Sequence, residues 1–401
     1  MKRSLWQKVL LGMVIGCLLG ALVPGVGAYA KPWATIYMNM IKMIVIPTIF
    51  CAIVFGVTNA NDIQTVGRIS IKASWIYLMF TVVAVLLGIG LTEWLKPGVG
   101  FTLLLDSSTV STTAVEVSLA DILVNIFPSN PIAAMVEGNT LQVVFFAFMF
   151  GVAVILTGNK ANDLKVVIRS LTSTIFKLVE IVVKTTPYGV VAIMAWVTDM
   201  YGYHVILKMG KLAAVIMIAF AAQYLIFGLM LQLVGLSAWQ FYRKSFNIQS
   251  LAFATSSSKA TISTAVIDLE RNLGVSKRVA DFVLPLGATI NMSGSAIYIV
   301  VCALFFAQSF GMNLSIYQYL LLIITSTVGS IGAAGYPSGA VIMLGMVLPA
   351  IGLPVEGIPL IMGIDRLLDM FRTVINVTGD CAATVIVDKL EGSLDTGCYS
   401  G

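Results

Sequence analysis

Apolar residues run along the chain in blocks long enough to cross a bilayer, at roughly 9–28, 34–57, 71–95, 138–157, 178–198 and 206–235. Their lengths predict helices, and nothing resembles the short alternating strands of an outer-membrane barrel. In the C-terminal half the pattern changes. ATSSSKATIS (254–263) and GSIGAAGYPSGA (329–340) break apolar sequence with polar or glycine-rich residues, and the flanking segments are too short to cross twice. Non-helical backbone at membrane depth is tolerated only where protein or a water-lined cavity satisfies its N–H and C=O groups. Both stretches therefore read as tips of re-entrant helical hairpins. Each is followed by a similar motif, INMSG (290–294) and INVTG (375–379). A hairpin and then an interrupted helix, occurring twice, is the pattern of a transporter built from internal repeats.

Composition supports a polytopic membrane protein, since 58% of the 401 residues are hydrophobic and 11% charged, more apolar surface than a soluble domain can bury. Basic clusters at Lys2–Lys8, Arg68–Lys72, Lys160–Arg169, Arg243–Lys244 and Arg271–Arg278 alternate with acidic or uncharged stretches around Asp106–Asp121 and Glu356. The positive-inside bias then places both termini in the cytoplasm of a cell-membrane protein, and the net charge of +5 needs no nucleic-acid partner. AYA at 28–30 resembles a signal cleavage site, yet the many spans downstream favour an uncleaved first helix. The five cysteines form no C-x-x-C pair and imply neither a metal site nor a disulfide framework. His204, the single histidine, carries no assigned role.

The segment GIDRLLDMFRTVINVTGD (363–380) carries the chemistry. At about 100° per residue, Asp365, Asp369, Arg372, Asn376 and Asp380 fall within an arc of roughly 80° on one helix face. Each charge near a bilayer centre costs at least ~2.5–3.5 kcal/mol, so the stripe must face a polar cavity. Arg372 offers a planar fork matched to a carboxylate, and Asp369, one turn away, suits an ammonium. Asp380 and Asn376 are hard oxygen ligands, and an unwound NMSG adds carbonyls, a set that suits sodium. An acidic amino acid and a cation are where these residues lead. An anion channel is the competing class. An intramembrane enzyme lacks a nucleophile paired with a base.

With these motifs the chain resembles the dicarboxylate/amino acid:cation symporters, which include glutamate and aspartate transporters. The likeness covers nearly the whole chain, through MIVIPTIF (43–50), IFPSNP (126–131), TPYGVVA (186–192), LPLGATINM (284–292), AAGYPSGA and DMFRTVINVTGD. The resemblance implies an all-α homotrimer in the lipid bilayer, with eight transmembrane helices, two re-entrant hairpins, inverted repeats and an elevator movement. Residues 1–70 (spans 1 and 2) and 101–203 (spans 4 and 5) would form the scaffold. Residues 71–100 (span 3) and 204–401 (span 6, hairpin 1, span 7, hairpin 2 and span 8) would form the transport domain.

By motif position, Arg372 would bind the substrate's side-chain carboxylate, Asp369 its amino group, and Asn376 with Thr373 its main carboxylate. Ser256, Ser258, Met292 and Ser295 would complete the site, with Gly335, Tyr336 and Ala340 closing from the second tip. One sodium would sit on Asp380 with carbonyls of Gly287, Asn291 and Asn376, and a second on carbonyls of Thr289, Ser330, Ile331 and Ala333. Sodium is the expected coupling ion, with no organic cofactor.

The departures bear on coupling. The family's usual NMDG has Ser293 in place of its aspartate, and Phe80 stands where span 3 carries a hydroxyl, although Tyr77 and Thr81 remain. Both positions belong to the family's third cation site, so fewer coupled sodium ions are expected. Proton coupling is the alternative, although Ile299 occupies the place of a glutamate found in some relatives. Substrates of the same fold can also be plain dicarboxylates or neutral amino acids, against which Asp369 and Arg372 respectively argue. Lys259 and Tyr336 replace small residues at the two tips, the lysine either steering anions or simply solvated.

Overall fold

A computed structural model describes residues 5–59, 63–100, 124, 127–138, 140–202, 204–332 and 339–401. The regular elements among the described residues are helices, without a strand. The first half comprises α1 (Leu5–Leu22), α2 (Val26–Asn59), α3 (Ile63–Leu95), α4 (Pro131–Glu137), α5 (Thr140–Leu156), α6 (Asn162–Lys184) and α7 (Thr186–Tyr201). The second comprises α8 (His204–Leu233), α9 (Ala238–Thr255), α10 (Ser258–Leu273), α11 (Lys277–Ile290), α12 (Ser293–Ser309), α13 (Ile316–Gly332), α14 (Gly339–Ala350), α15 (Ile358–Glu391) and the short α16 (Thr396–Ser400). Four segments among the described residues are long and apolar enough to cross a membrane, Ile71–Leu95, Lys208–Leu233, Lys277–Ser309 and Ile364–Glu391.

The apolar run at 178–198 is not one helix. It divides at Thr185 between α6 and α7, because Pro187 in the first turn of α7 has no N–H with which to continue the helix. The α1–α2 turn places Gly25 at φ +82°, and the Asp199 carboxylate at the end of α7 accepts from the N–H groups of Gly25 (3.1 Å) and Gly27 (3.0 Å). Gly12, Gly16 and Gly20 line the face of α1 that meets α7. A Cβ on Gly16 would lie 2.6 Å from the Val191 carbonyl oxygen, so hydrogen alone permits this approach.

Helices α1, α2, α5, α6 and α7 pack on one another, while α3 joins α8 to α15. The centre of the second group is α12, buried from Ser293 through Ala307 and packed on α3, α8, α13, α14 and α15. A helix apolar on all sides belongs in such a core. Polar contacts fasten α3 at both ends: Glu391 on α15 pairs with Arg68 at 2.5 Å and Lys72 at 2.6 Å, and Glu93 accepts a hydrogen bond from the Tyr319 hydroxyl at 2.6 Å. The two groups meet where α13 and α14 touch α2 and where α15 touches α1 and α7.

Hairpin 1 consists of α9 and α10, which turn through Ser256 and Ser257, and α16 braces its base. Lys244 on α9 donates to the carbonyls of Cys398 (2.6 Å) and Tyr399 (3.0 Å), and the Tyr399 hydroxyl donates to Ser237 O at 2.9 Å. Hairpin 2 consists of α13 and α14. Its tip, residues 333–338, lies outside the described residues, and Ala333, Gly335 and Tyr336 lie there with it. The expected helix interruption is present at Asn291 and Met292, between α11 and α12. The second, expected at 375–379, is corrected: α15 runs unbroken from Ile358 to Glu391. Asn376 and Asp380 reach their partners with side chains, so the backbone there keeps its own hydrogen bonds. The five cysteines are free thiols.

Candidate functional site

The polar stripe of α15 lies inside the second helix group, with Asp365, Asp369, Arg372, Asn376 and Asp380 all buried. Its N-terminal part is a knot of four charges. The Arg372 guanidinium donates to Asp365 Oδ1 at 3.2 Å and to Asp369 Oδ1, and lies 4.6 Å from the centre of the Tyr298 ring. A second guanidinium, that of Arg366, reaches Asp369 Oδ2 at 3.1 Å. Both oxygens of Asp369 therefore face arginine. Two successive turns of helix supply the pairing that buried charges require.

One turn further along, Asn376 joins α15 to the broken segment between α11 and α12. Its Oδ1 accepts from the Gly294 N–H at 2.8 Å, and its Nδ2 faces Ser295 Oγ and Met292 Sδ, each at 3.3 Å. Gly294 is needed for this approach, because a Cβ there would lie 2.6 Å from the Arg372 carbonyl oxygen. The Thr373 hydroxyl donates to Asp369 O at 2.8 Å within its own helix, which leaves its lone pairs as acceptors.

Asp380 closes the stripe. Asn291 Nδ2 donates to Asp380 Oδ1 at 2.9 Å and to the Asn376 carbonyl at 3.2 Å. Asn291 Oδ1, on the side chain that donates to Asp380, is buried with no hydrogen-bond partner; Ser293 Oγ at the start of α12 is likewise unpartnered, as is Thr378 Oγ1 on the opposite face of α15. Gly287 keeps a gap open, since a Cβ there would sit 2.7 Å from Asp380 Oδ1 and 2.5 Å from the Tyr77 hydroxyl. A set of oxygens with one carboxylate suits a hard cation. Among the described residues, no cluster of three or more His, Cys, Asp or Glu side chains is placed to hold a metal ion. Thr289 is half-buried in the last turn of α11, where helix carbonyls lack intrahelical partners. On the hairpin 2 side, Ser330 donates to Thr327 O at 2.8 Å, Ile331 is half-buried near the end of α13, and Ala340 is buried at the start of α14.

Hairpin 1 packs along α15, with Phe253 edge-to-face on Phe371 at 5.1 Å, next to Arg372. At its tip Ser256 adopts φ +51°, and the hydroxyls of Ser256 and Ser258 are buried without hydrogen-bond partners. Lys259 is not simply solvated, for its Nζ lies 5.0 Å from the centre of the Phe176 ring on α6. Near Asp380, Phe80 of α3 is fully buried against Phe227 of α8 at 4.9 Å, and Phe227 also lines the α15 backbone at Gly379. Tyr77 directs its hydroxyl to the Val283 carbonyl at 2.9 Å, and Thr81 donates to Tyr77 O at 2.9 Å.

Sequence reasoning assigned nothing to Arg366 or Tyr298 and gave Asp365 no role beyond the stripe. The available signal was local: Arg366 stands between Asp365 and Asp369 in GIDRLLD, three residues before the latter.

The chain matches the sodium:dicarboxylate symporter family over residues 5–390. It is 34% identical to a C4-dicarboxylate transport protein of Rhodospirillum rubrum, over 98% of this chain and 90% of that protein. It is 30% identical to a proton/sodium-glutamate symport protein of Bacillus subtilis and 32% identical to a proton/glutamate-aspartate symporter of Escherichia coli, in each case over 98% of this chain and 94% of the relative. With a buried carboxylate-and-guanidinium stripe beside under-coordinated oxygens and a family match along nearly its whole length, this chain belongs to the sodium:dicarboxylate symporter family.

Proposed function

We propose that the protein is a secondary active symporter that imports acidic amino acids, L-aspartate or L-glutamate, coupled to sodium. The observation that carries this reading is the buried Arg372–Asp369 pair beside the oxygens around Asp380. A zwitterionic substrate can enter such a pair by partner exchange. Its side-chain carboxylate takes Arg372 while its ammonium takes Asp369, so neither member of the pair is left unpaired. Asn376 and Thr373 hold the main carboxylate, aided by Ser256 and Ser258 of the first tip and by Met292 and Ser295, with Gly335, Tyr336 and Ala340 on the side of hairpin 2.

Sodium travels as a second substrate. Asp380 with carbonyls of Gly287, Asn291 and Asn376 forms one place for it, and carbonyls of Thr289, Ser330, Ile331 and Ala333 form another. A third is forfeited, because Phe80 fills its place against Phe227 and Ser293 brings no charge. The protein works as a homotrimer in the cell membrane. Spans 1, 2, 4 and 5 stand still while α3 with α8 to α15 carries the site across. The relatives named as proton-coupled glutamate symporters make the choice of ion the first thing to test.

Radiolabelled L-aspartate uptake into proteoliposomes provides that test. Accumulation on an inward sodium gradient is the expected result. Accumulation on an inward proton gradient in sodium-free buffer would move the coupling role to protons, and substrate-independent anion current without accumulation would replace the symporter reading with a channel.

A further inference from the structure

The role given to Asp369 meets a competitor on its own helix. Arg366 holds Asp369 Oδ2 at 3.1 Å while Arg372 holds Oδ1, so an arriving ammonium finds both oxygens engaged. Only 11% of the Arg366 side chain is exposed, and its Nε is buried with no hydrogen-bond partner. An unpaired donor on a buried guanidinium is costly unless an acceptor comes to it. The knot of Asp365, Asp369, Arg366 and Arg372 carries two charges of each sign, and removing Arg366 would leave it one unit negative.

The two classes of acidic substrate differ by the same unit. An acidic amino acid has two carboxylates and an ammonium, and needs a free carboxylate in the site. A four-carbon dicarboxylate without an amino group has two carboxylates alone, and needs cations. Arg366 neutralises the first requirement and supplies the second.

Resting on the reading of the α15 stripe as the substrate site, we infer that Arg366 determines substrate class: by occupying Asp369 and offering its own N–H, it admits four-carbon dicarboxylates that lack an amine alongside acidic amino acids. For a plain dicarboxylate, Arg366 stays on Asp369 and turns Nε to the second carboxylate while Arg372 takes the first. For an amino acid, the ammonium displaces Arg366 from Oδ2.

The experiment measures uptake of aspartate and succinate, and competition between them, in proteoliposomes containing the wild type, Arg366→Gln, Arg366→Lys and Asp369→Asn. Succinate is expected to compete with aspartate in the wild type. Arg366→Gln should weaken succinate relative to aspartate about tenfold or more in KM, Asp369→Asn should shift the ratio the opposite way, and Arg366→Lys should restore part of the succinate affinity. A purely structural role would lower both substrates together and leave the ratio unmoved, which overturns the assignment. Should Arg366→Gln fail to fold, the wild type still decides, since aspartate uptake that succinate does not inhibit overturns it too. If the wild type takes up neither compound, the stripe itself is not the substrate site, and the broader reading falls as well.

Discussion

Arg372 sits where no other cation can do the same work. Its fork spans Asp365 and Asp369 at once and lies against Tyr298. Lysine at this place offers one point charge, so Arg372→Lys is expected to weaken aspartate binding by about 1.5–3 kcal/mol, the worth of a charged hydrogen bond. Arg372→Gln should abolish aspartate uptake more fully than that of a small neutral amino acid, and equal loss of both would remove its role. Gly287 gives a second test. The Cβ of Gly287→Ala would meet Asp380 Oδ1 and the Tyr77 hydroxyl. Sodium affinity should then fall roughly 10–100-fold, as when ligand positioning is disturbed at other metal sites, and titrating the sodium dependence of aspartate binding measures it. The stripe itself was legible, because helical periodicity alone aligns Asp365 through Asp380. Arg366 lay outside that arc and was passed over, although its i, i+3 spacing to Asp369, about 60° around the helix, was there to read.

At the scale of the helix, breaks were easier to read than continuity. The serine-rich stretch gave the α9–α10 turn, and INMSG gave the interruption at Asn291 and Met292. INVTG looked like its counterpart, yet the same residue types sit in an intact helix in α15. Local likeness does not decide whether backbone or side chain meets the partner. The close approach of α1 to α7 was also hidden, since Gly12, Gly16 and Gly20 acquire meaning only once the Val191 and Ala195 carbonyls face them. Gly16→Val should cost about 1–3 kcal/mol through overpacking. A lowered midpoint in thermal unfolding of the purified protein would show it, while an unchanged midpoint would mean that α1 is free to shift away.

Across the whole molecule, the packing of helices into two groups bears on how the proposed coupling and movement would be joined. The second group carries the entire charged stripe, so under the proposed elevator mechanism the proposed substrate and cation sites would travel together. Coupling stoichiometry is then a property of which oxygens this body retains. Fewer sodium ions per substrate are expected than in relatives that keep the aspartate of NMDG, and reversal potentials measured in vesicles give the number. The double variant Phe80→Thr with Ser293→Asp should add one, whereas Ser293→Asp alone should destabilise the fold by burying a carboxylate with no partner.

If the Phe80–Phe227 contact removes a cation site as proposed, it limits how steeply the cell can concentrate its substrate. One cation falling down a tenfold gradient and through 100 mV releases roughly 3.7 kcal/mol, so a carrier that omits one per cycle forgoes about 500-fold in the attainable concentration ratio. In return, each molecule imported admits fewer ions for the cell's pumps to expel. With the third cation site lost as proposed, the two phenyl rings would mark a carrier suited to plentiful nutrient and a modest ion gradient rather than to scavenging from a dilute medium.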